Sequence, residues 1–297
     1  MPPLVEPPSL PLPEERRTHG CFETMQAYGG RIFRLEAHLD RLYGSAQFLG
    51  TRAPSDRRRL GRQLTAALAR SGLRDAVVRV ALIPPPVGAP KAHAASRRSL
   101  AATPTGGGMM PQPAGEAKPS IVVQPAVHPP GAAYRRGIAV AVVPARKFSV
   151  GSIDPQAKYS ARLGSVLAVQ DAQLRGVEEA LFMDALGGVT ESTASNFGIV
   201  AHGEVLTPPC WLGLLAGITR DVLFELGTAL RIPVREVPLT RHDLYNADEA
   251  FLTSTLKEIL PVTRIDGRTI GTGRPGSITK RLRRAFQQLV RQELKLT

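Results

Sequence analysis

The stretch ALFMDALGGVTESTASNFGIVAHGEVLTPP, residues 180–209, is the part of the sequence that decides the fold. It begins with an apolar run that predicts a buried strand, followed by a turn at Gly187-Gly188. Two further short strands flank a second turn at His202-Gly203. A single acidic residue, Glu191, lies among small polar residues between these β segments. Most loop glutamates are exposed to solvent, but a carboxylate in this setting is also suited to bind a fixed cationic partner.

Three other stretches of the sequence form a set of motifs with residues 180–209. Upstream, DPQAKYSARLGSVLA at residues 154–168 places Lys158 just before a predicted amphipathic helix. Downstream, LLAGITRD at residues 214–221 opens a helix near Thr219, and FLTSTLKEILPV at residues 251–262 contains Ser254-Thr255. In this order, the four motifs resemble the class IV aminotransferase family. These are fold type IV enzymes that use pyridoxal 5′-phosphate (PLP), and they include branched-chain and D-amino-acid aminotransferases and 4-amino-4-deoxychorismate lyase.

The resemblance extends from about residue 20 to residue 286 and is interrupted between about residues 84 and 119. It implies an α/β (α+β) fold with a small N-terminal α/β domain and a larger C-terminal domain, in which helices flank a β-barrel-like core. We expect a flexible arm at residues 1–18, the small domain at residues 19–130 and the PLP-binding domain at residues 138–297. The segment 84–119 is rich in Pro, Gly and Ala, so it predicts a disordered or surface insertion.

Local patterns predict the individual elements. Residues 35–49 are predicted to form a helix with one apolar stripe, and His38 is expected on the surface of this helix. Ser55 is the predicted N-cap of a second helix, which ends at Gly72. The helix at residues 160–175 has Leu163, Val166, Leu167 and Leu174 along one side. The other predictions are strands at 75–83, 137–144 and 247–255, a strand that restarts at 121, and helices at 219–230 and 277–294.

The resemblance implies a role for particular residues. Lys158 forms the Schiff base with PLP and moves the proton from the substrate, and Glu191 binds the pyridine nitrogen. Glu191 could equally hydrogen-bond within its own turn. The phosphate is bound at the start of a helix by Ile218 and Thr219, where free N–H groups and the helix dipole favour an anion. Thr219 could equally be a plain N-cap.

Further residues complete the implied site. Ser254 and Thr255 add hydroxyl donors, and Arg79, at the centre of a predicted strand, adds positive charge for the phosphate. Without the resemblance, Arg79 is as well explained by a position that faces solvent. Phe22, in the motif Phe22-Glu23-Thr24, is a candidate for the substrate side. Arg97 and Arg98 lie in the insertion and are only chemically suitable candidates for binding a substrate carboxylate. The sequence predicts no metal site.

Composition limits the class of protein. The chain has 297 residues, 38 Lys and Arg against 25 Asp and Glu, and a net charge of +13. The basic residues are scattered and lack interleaved aromatic residues, so solvated surfaces explain them better than a nucleic-acid site. Two distant cysteines and the lack of a leader or a membrane span predict a soluble cytoplasmic protein. A basic nucleic-acid-binding protein on a decayed enzyme fold is the remote alternative.

The expected reaction is transfer of an amino group between an amino acid and a 2-oxo acid, by an enzyme that the family implies to be a homodimer. The alternative is 4-amino-4-deoxychorismate lyase, which releases pyruvate and 4-aminobenzoate. The segments at Ser254-Thr255 and Asn196 resemble D-amino-acid aminotransferases, whereas residues 158–163 are closer to the lyase. Branched-chain enzymes typically have an arginine in place of Gln26 and a tyrosine in place of Leu163, and both departures count against that specificity.

Overall fold

A computed structural model of the chain describes residues 20–84, 115–146, 154–160 and 162–296. The predicted arm at residues 1–18, Arg97, Arg98 and most of the predicted insertion lie outside the described residues. Across the described ranges, no helix is both long enough and apolar enough to cross a membrane.

The described residues form seven helices and thirteen strands. The helices are α1 Leu35–Phe48, α2 Arg57–Ser71, α3 Gly131–Arg136, α4 Leu163–Leu174, α5 Ile218–Leu230, α6 Arg241–Tyr245 and α7 Ser277–Glu293. The strands are β1 Cys21–Tyr28, β2 Arg31–Ile32, β3 Ala76–Ile83, β4 Lys118–Pro125, β5 Ile138–Arg146, β6 Glu179–Met183, β7 Val189–Ser192, β8 Asn196–Ala201, β9 Glu204–Thr207, β10 Val234–Glu236, β11 Glu249–Ser254, β12 Glu258–Ile265 and β13 Arg268–Thr269.

The first sheet is antiparallel, with the strand order β2-β1-β3-β4. One face packs on α1 and α2 through a core that includes Met25, Leu39, Leu64 and Val78. Side chains alternate between the two faces of a strand, so Phe22 and Thr24 lie on the opposite face of β1 from Met25. Thr24 pairs with Arg79 of β3. This opposite face forms one wall of the site described below.

The second sheet has nine strands and closes on itself. Its order is β10-β9-β8-β11-β12-β5-β6-β7, with β13 added to β12, and β7 also pairs with β8. This last pairing joins Glu191 to Asn196 and completes a ring of six strands. Apolar side chains such as Val140, Leu181 and Leu252 fill the core of this barrel. Glu191 therefore belongs to a strand at the closure of the barrel, and not to the loop that the sequence suggested.

Helices cover the outside of the barrel. α5 and α7 bury Leu226 and Phe286 in one cluster with Phe251 of β11. α4 packs through the small residues Ala168 and Ala172. The leucines that the sequence placed along one side of α4 are largely exposed instead, because the close approach of the helix to β5 and β6 selects its alanine face.

Several local predictions need correction. The N-cap of α2 is Asp56, whose carboxylate accepts a hydrogen bond from Arg59 N at 2.7 Å, and not Ser55. α5 begins after Gly217, so Thr219 is already inside the helix. β4 begins at Lys118, three residues before the predicted restart at residue 121. The two sheets are consistent with the predicted small and large domains, whose exact bounds stay a prediction.

Candidate active site

Lys158 is held at the junction of the two sheets. Its backbone N–H donates to Ser45 Oγ of α1 at 2.9 Å, and its carbonyl accepts from Phe22 N of β1 at 3.0 Å. Its amine lies 5.2 Å from the centre of the Phe22 ring. Two segments far from Lys158 in the sequence, α1 and β1, thus fix the backbone of this lysine, and its side chain lies along the site-facing side of β1.

The environment of Lys158 changes its protonation. Although part of the residue is exposed, its amine is enclosed by protein, and this burial lowers its pKa to about 7. The guanidinium groups of Arg41 and Arg162 add to the effect, while Glu23 and Glu191 oppose it. A large fraction of the amine is therefore neutral near physiological pH. Only a neutral amine can act as a nucleophile or as a base.

The Glu191 carboxylate is fixed in position from two sides. Its Oε2 accepts hydrogen bonds from Leu215 N at 3.1 Å and from Asn196 Nδ2 at 3.3 Å. Asn196 Nδ2 also donates to the Leu215 carbonyl at 2.8 Å. Asn196 has a structural role here, because its amide connects the carboxylate to the loop at residues 213–217. Glu191 is 7% exposed and has no freedom to turn towards solvent.

The loop at residues 213–217 leads into the N-terminus of α5. Gln156 clamps it, since its Nε2 donates to the Leu214 carbonyl at 2.9 Å and its Oε1 accepts from Ala216 N at 3.2 Å. The N-cap, Gly217, supplies no side chain to the first turn. A Cβ on Gly217 would overlap the Asn196 amide oxygen. The N–H groups at the start of α5, around the buried Ile218 and Thr219, therefore form a site suited to an anion.

Arg41 is a site residue that the sequence reasoning missed. Its Nη1 donates to the Ala216 carbonyl at 2.7 Å, which places the guanidinium beside the anion site of α5. Its Nε and Nη2 donate to the two oxygens of Glu23 at 2.6 and 2.9 Å. The motif His38-Leu39-Asp40-Arg41-Leu42 was visible in the sequence, but the contact joins residues 175 positions apart.

Arg41 is held by an ion pair with the buried Glu23, and Glu23 also contacts His38. Glu23 is fully buried, and its Oε2 lies 2.8 Å from His38 Nδ1. Burial raises the pKa of Glu23, but Arg41 and His38 overcome this effect and hold it well below its usual range. Burial lowers the pKa of His38. The prediction that His38 is a surface residue is therefore wrong, because it serves as an internal partner of Glu23 at 2% exposure.

Arg79 lies beside Phe22, in the same space as the Lys158 amine. Its guanidinium stacks over the Phe22 ring, with 4.2 Å from Cζ to the ring centre. Phe22 thus contacts both Arg79 and Lys158. Arg79 is 8% exposed, so the interpretation as a solvent-facing residue is wrong. A role for Arg79 as the phosphate ligand stays a prediction, and Arg41 is the arginine that contacts the loop before α5.

Ser254 and Thr255 lie where β11 ends. Thr253 pairs with Asn196, so the turn that follows starts at the same end of the barrel as Glu191. Ser254 Oγ accepts a hydrogen bond from Lys257 N at 3.2 Å and can still donate its own proton. The Lys257 amine pairs with Glu179 and donates to Ser195 Oγ at 3.3 Å. This ion pair, which the sequence did not reveal, ties the turn to the strands beside it.

Comparison with known proteins identifies the family. The family model described as amino-transferase class IV matches residues 20–265. The chain is a class IV aminotransferase. It is therefore an enzyme that transfers amino groups, and the family suggested by the four motifs is confirmed. The remote alternative of a nucleic-acid-binding protein is set aside by this result.

Curated relatives of this class IV aminotransferase cover most of its length. A protein of Methanocaldococcus jannaschii, provisionally named as a branched-chain-amino-acid aminotransferase, is 37% identical over 270 residues, which is 91% of this chain and 86% of the relative. The branched-chain-amino-acid aminotransferase of Pseudomonas aeruginosa is 31% identical over 277 residues, covering 91% and 84% of the two chains. These names match neither the D-amino-acid enzyme nor the lyase that the sequence signatures suggested.

Solved structures confirm the fold. A branched-chain amino acid aminotransferase from T.th., solved with pyridoxamine 5′-phosphate, superposes with a TM-score of 0.80 at 29% identity, over 92% of this chain and 85% of the other. The Escherichia coli enzyme gives a TM-score of 0.79 at 29% identity, over 91% and 85%. A further structure of the T.th. enzyme carries N-(5′-phosphopyridoxyl)-L-glutamate. The predicted fold type IV architecture is therefore confirmed, and neighbours of this aminotransferase bind derivatives of the expected cofactor.

Proposed function

We propose that this aminotransferase binds PLP and transfers the amino group between a branched-chain L-amino acid and a 2-oxo acid. The observation that carries the proposal is the convergence of three features on one space. These are the enclosed amine of Lys158 beside the Phe22 ring, the fixed carboxylate of Glu191 and the anion site at the start of α5. A cofactor with an aldehyde, a basic ring nitrogen and a phosphate needs all three, and the site therefore fits PLP.

Bound PLP supplies an electron sink that stabilises negative charge at the substrate Cα. Lys158 would supply the amine that holds the cofactor covalently, and the same amine would be the base that moves the proton from the substrate Cα. Glu191 would hold the ring nitrogen of the cofactor, and its negative charge would favour the protonated form of that nitrogen. Asn196 and Leu215 hold this carboxylate so that it does not need to reorganise during the reaction.

The phosphate would be bound at the start of α5. We assign Ile218 and Thr219 to it through their backbone N–H groups and the Thr219 hydroxyl, and Arg41 through its charge. Ser254 and Thr255 remain proposed hydroxyl donors from the turn after β11. Arg41 is preferred to Arg79 in this role because only Arg41 has a hydrogen bond to the loop that leads into α5.

The branched-chain specificity rests on the names of the relatives. The two departures noted in the sequence have different structural outcomes. Leu163 is 71% exposed on α4, so its side chain does not line the site. Gln26 is 1% exposed on β1, and its Nε2 donates to the Ala27 carbonyl at 3.0 Å. A neutral buried amide at this position is compatible with an apolar substrate pocket, since it adds no charge.

A substrate panel tests the proposed reaction. Purified PLP-form enzyme is mixed with L- and D-amino acids without any oxo acid, and the absorption spectrum is followed. We expect L-leucine, L-isoleucine and L-valine to convert the cofactor to the pyridoxamine form. If D-amino acids convert it instead, the specificity is wrong. If no amino acid converts it while aminodeoxychorismate yields pyruvate and 4-aminobenzoate, the protein is the lyase.

The arginine assignment gives a first prediction. Arg41→Ala should weaken PLP binding by about 2 kcal/mol, or roughly thirtyfold, because a charged hydrogen-bonded phosphate partner is lost. Arg79→Ala should change the PLP dissociation constant by less than about threefold. Fluorescence titration of the two apo variants with PLP measures both values.

Arg41→Ala also leaves the buried Glu23 without its main partner and therefore lowers stability. Arg41→Lys restores a positive charge near Glu23 but lacks the planar guanidinium, and we expect it to recover the melting temperature better than the PLP affinity. A larger loss of PLP affinity in Arg79→Ala than in both Arg41 variants would return the phosphate role to Arg79.

The lowered pKa of Lys158 gives a second prediction. Because the protonated amine is not a nucleophile, the rate at which apo protein captures PLP covalently should be low below pH 7 and rise with pH. The midpoint should lie near the pKa of about 7, and not near the usual lysine value of 10.5. Stopped-flow absorbance over pH 5.5 to pH 10 measures this profile, with Lys158→Met as the blank. A midpoint above pH 9 would contradict the proposed environment of the amine.

The homodimer and the cytoplasmic location are also kept as proposals. In support of a partner copy, α4 exposes Leu167 and Leu174, at 53% and 88%. Trp211 is also exposed, at 67%. Large exposed apolar side chains concentrated on one element often mark an interface. Sedimentation equilibrium at two protein concentrations measures the oligomeric state.

A further inference from the structure

A second basic group lies beside Lys158, separate from the anion site of α5. Arg162 immediately precedes α4, and its Nη2 donates to the Thr193 carbonyl. Thr193 follows two residues after Glu191, so this contact places the Arg162 guanidinium beside the turn that follows the Glu191 strand. Lys158 lies four residues before Arg162 in the chain, and the charge of Arg162 also helps to lower the pKa of the Lys158 amine.

Arg162 and Arg79 act on each other. Burial lowers the pKa of Arg162 and Arg79 lowers it further, against the opposing effects of Glu191 and Glu179. Arg79 lies over the Phe22 ring, which also contacts the Lys158 amine. Arg79 and the Lys158 amine therefore border one space beside the Phe22 ring, and Arg162, at the entrance of α4, acts on both through its charge.

The two arginine groups that flank Lys158 have different neighbours. Arg41 contacts the Ala216 carbonyl and is influenced by Asp221 of α5. Arg162 is influenced by Arg79 and Glu179 and contacts the 193–195 turn. The phosphate site and the Arg162 site are therefore distinct, and a phosphate held at the start of α5 leaves Arg162 available to another anion.

The hydrogen bonding of Arg162 is incomplete. A guanidinium has five N–H donors and no acceptor. Within the described ranges, the Arg162 side chain has one hydrogen-bond acceptor, the Thr193 carbonyl, and Glu191 and Glu179 act on it only through their charge. A cation taken out of water is stabilised by an anion with good geometry. The Arg162 residue keeps part of its surface exposed.

We propose that Arg162 binds a carboxylate of the amino-acid and 2-oxo-acid substrates and thereby orients them at Lys158. This inference rests on the proposed function, because both substrates of a transaminase have a carboxylate next to the reacting carbon. Planar guanidinium groups bind carboxylates through two parallel hydrogen bonds, which fix orientation as well as position. Arg162 is thus a specificity-determining residue for substrates, distinct from the residues that hold the cofactor.

Unreactive ligands test this role without turnover. The PLP form of the full chain is titrated calorimetrically with 4-methylpentanoate and with 4-methylpentanamide, which has the same shape but no charge. We expect the wild-type protein to bind the acid at least about tenfold more tightly than the amide. In Arg162→Gln this preference should fall to within about threefold, while affinity for the amide stays unchanged.

Arg175→Gln is the matched control, because Arg175 directly follows α4, is exposed and pairs with Asp171. It should keep the full preference for the acid. Arg162→Lys retains a charge without the planar fork, and we expect it to bind the acid several-fold more weakly than wild type. If Arg162→Gln no longer binds PLP, the preference for the acid over the amide is measured in Arg162→Lys, and that value tests the inference.

An unchanged preference for the acid in the Arg162 variants overturns the inference, as does an equal loss in Arg175→Gln. Failure of the proposed function would look different. In that case the wild-type protein would not acquire the absorption band of bound PLP, or it would not convert that band when mixed with amino acids.

Discussion

Transamination should fall by about four orders of magnitude in Lys158→Met, since the variant has no amine to accept and return the substrate proton. The methionine side chain fills a similar volume, so we expect the barrel and the first sheet to keep their structure. Borohydride reduction of the wild-type PLP form, followed by peptide mapping, should place the pyridoxyl group on the peptide that contains Lys158. The variant should give no labelled peptide.

Lys257→Met provides the matched control. Lys257 is the other enclosed lysine near the site, but its amine is occupied by Glu179 and Ser195. We expect this variant to remain labelled at Lys158 and to show only a moderate loss of rate. Label on Lys257 or on any third lysine of the wild-type protein would overturn the assignment.

Glu191→Gln should lower kcat by about two to three orders of magnitude and leave the cofactor bound. The amide still accepts a hydrogen bond from Leu215 N, so the loop before α5 keeps its shape. It lacks the negative charge that keeps the ring nitrogen protonated, and removal of the Cα proton therefore becomes slower. The kinetic isotope effect with α-deuterated leucine should rise towards its full value.

Glu204→Gln controls for the general effect of removing a carboxylate, because Glu204 is on β9 and pairs with the exposed Arg235. Its kcat should match that of the wild type. Should Glu191→Gln have an unchanged kcat and isotope effect, Glu191 would only be a structural partner of Asn196 and Leu215.

Local sequence patterns predicted the parts of the site that depend on neighbours in the chain. Alternation and turn residues located β6 and β8, and the position of Lys158 before a helix was recognisable as a motif. Glu191 was proposed for the same reason, although its strand was not predicted. That strand has four residues, and its only pairing with β8 joins Glu191 to Asn196. A pattern so short cannot be distinguished from a loop.

Residues whose partners are distant in the sequence were missed, or were predicted in the wrong environment. His38 was predicted to lie on the surface of α1, because histidines are more often exposed than fully buried. Only the fold shows that Glu23 of β1 lies opposite and requires both His38 and Arg41. The contact between Lys257 and Glu179 spans 78 residues and leaves no trace in either local pattern. The prediction that leucines line the packed side of α4 was wrong, because a helix that packs closely on a sheet buries small side chains such as Ala168 and Ala172.

The barrel closure at Glu191 and Asn196 has a consequence for how this scaffold can diversify. Glu191, the residue proposed to hold the ring nitrogen of the cofactor, also lies at the pairing that closes the barrel. Any substitution that loses its hydrogen bonds to Asn196 and Leu215 should therefore disturb the catalyst and the scaffold together. The side chains on the open face of the small antiparallel sheet do not determine its strand pairing. We therefore expect new substrate preferences to arise through Gln26, Arg79 and the segment before α4, with the barrel unchanged.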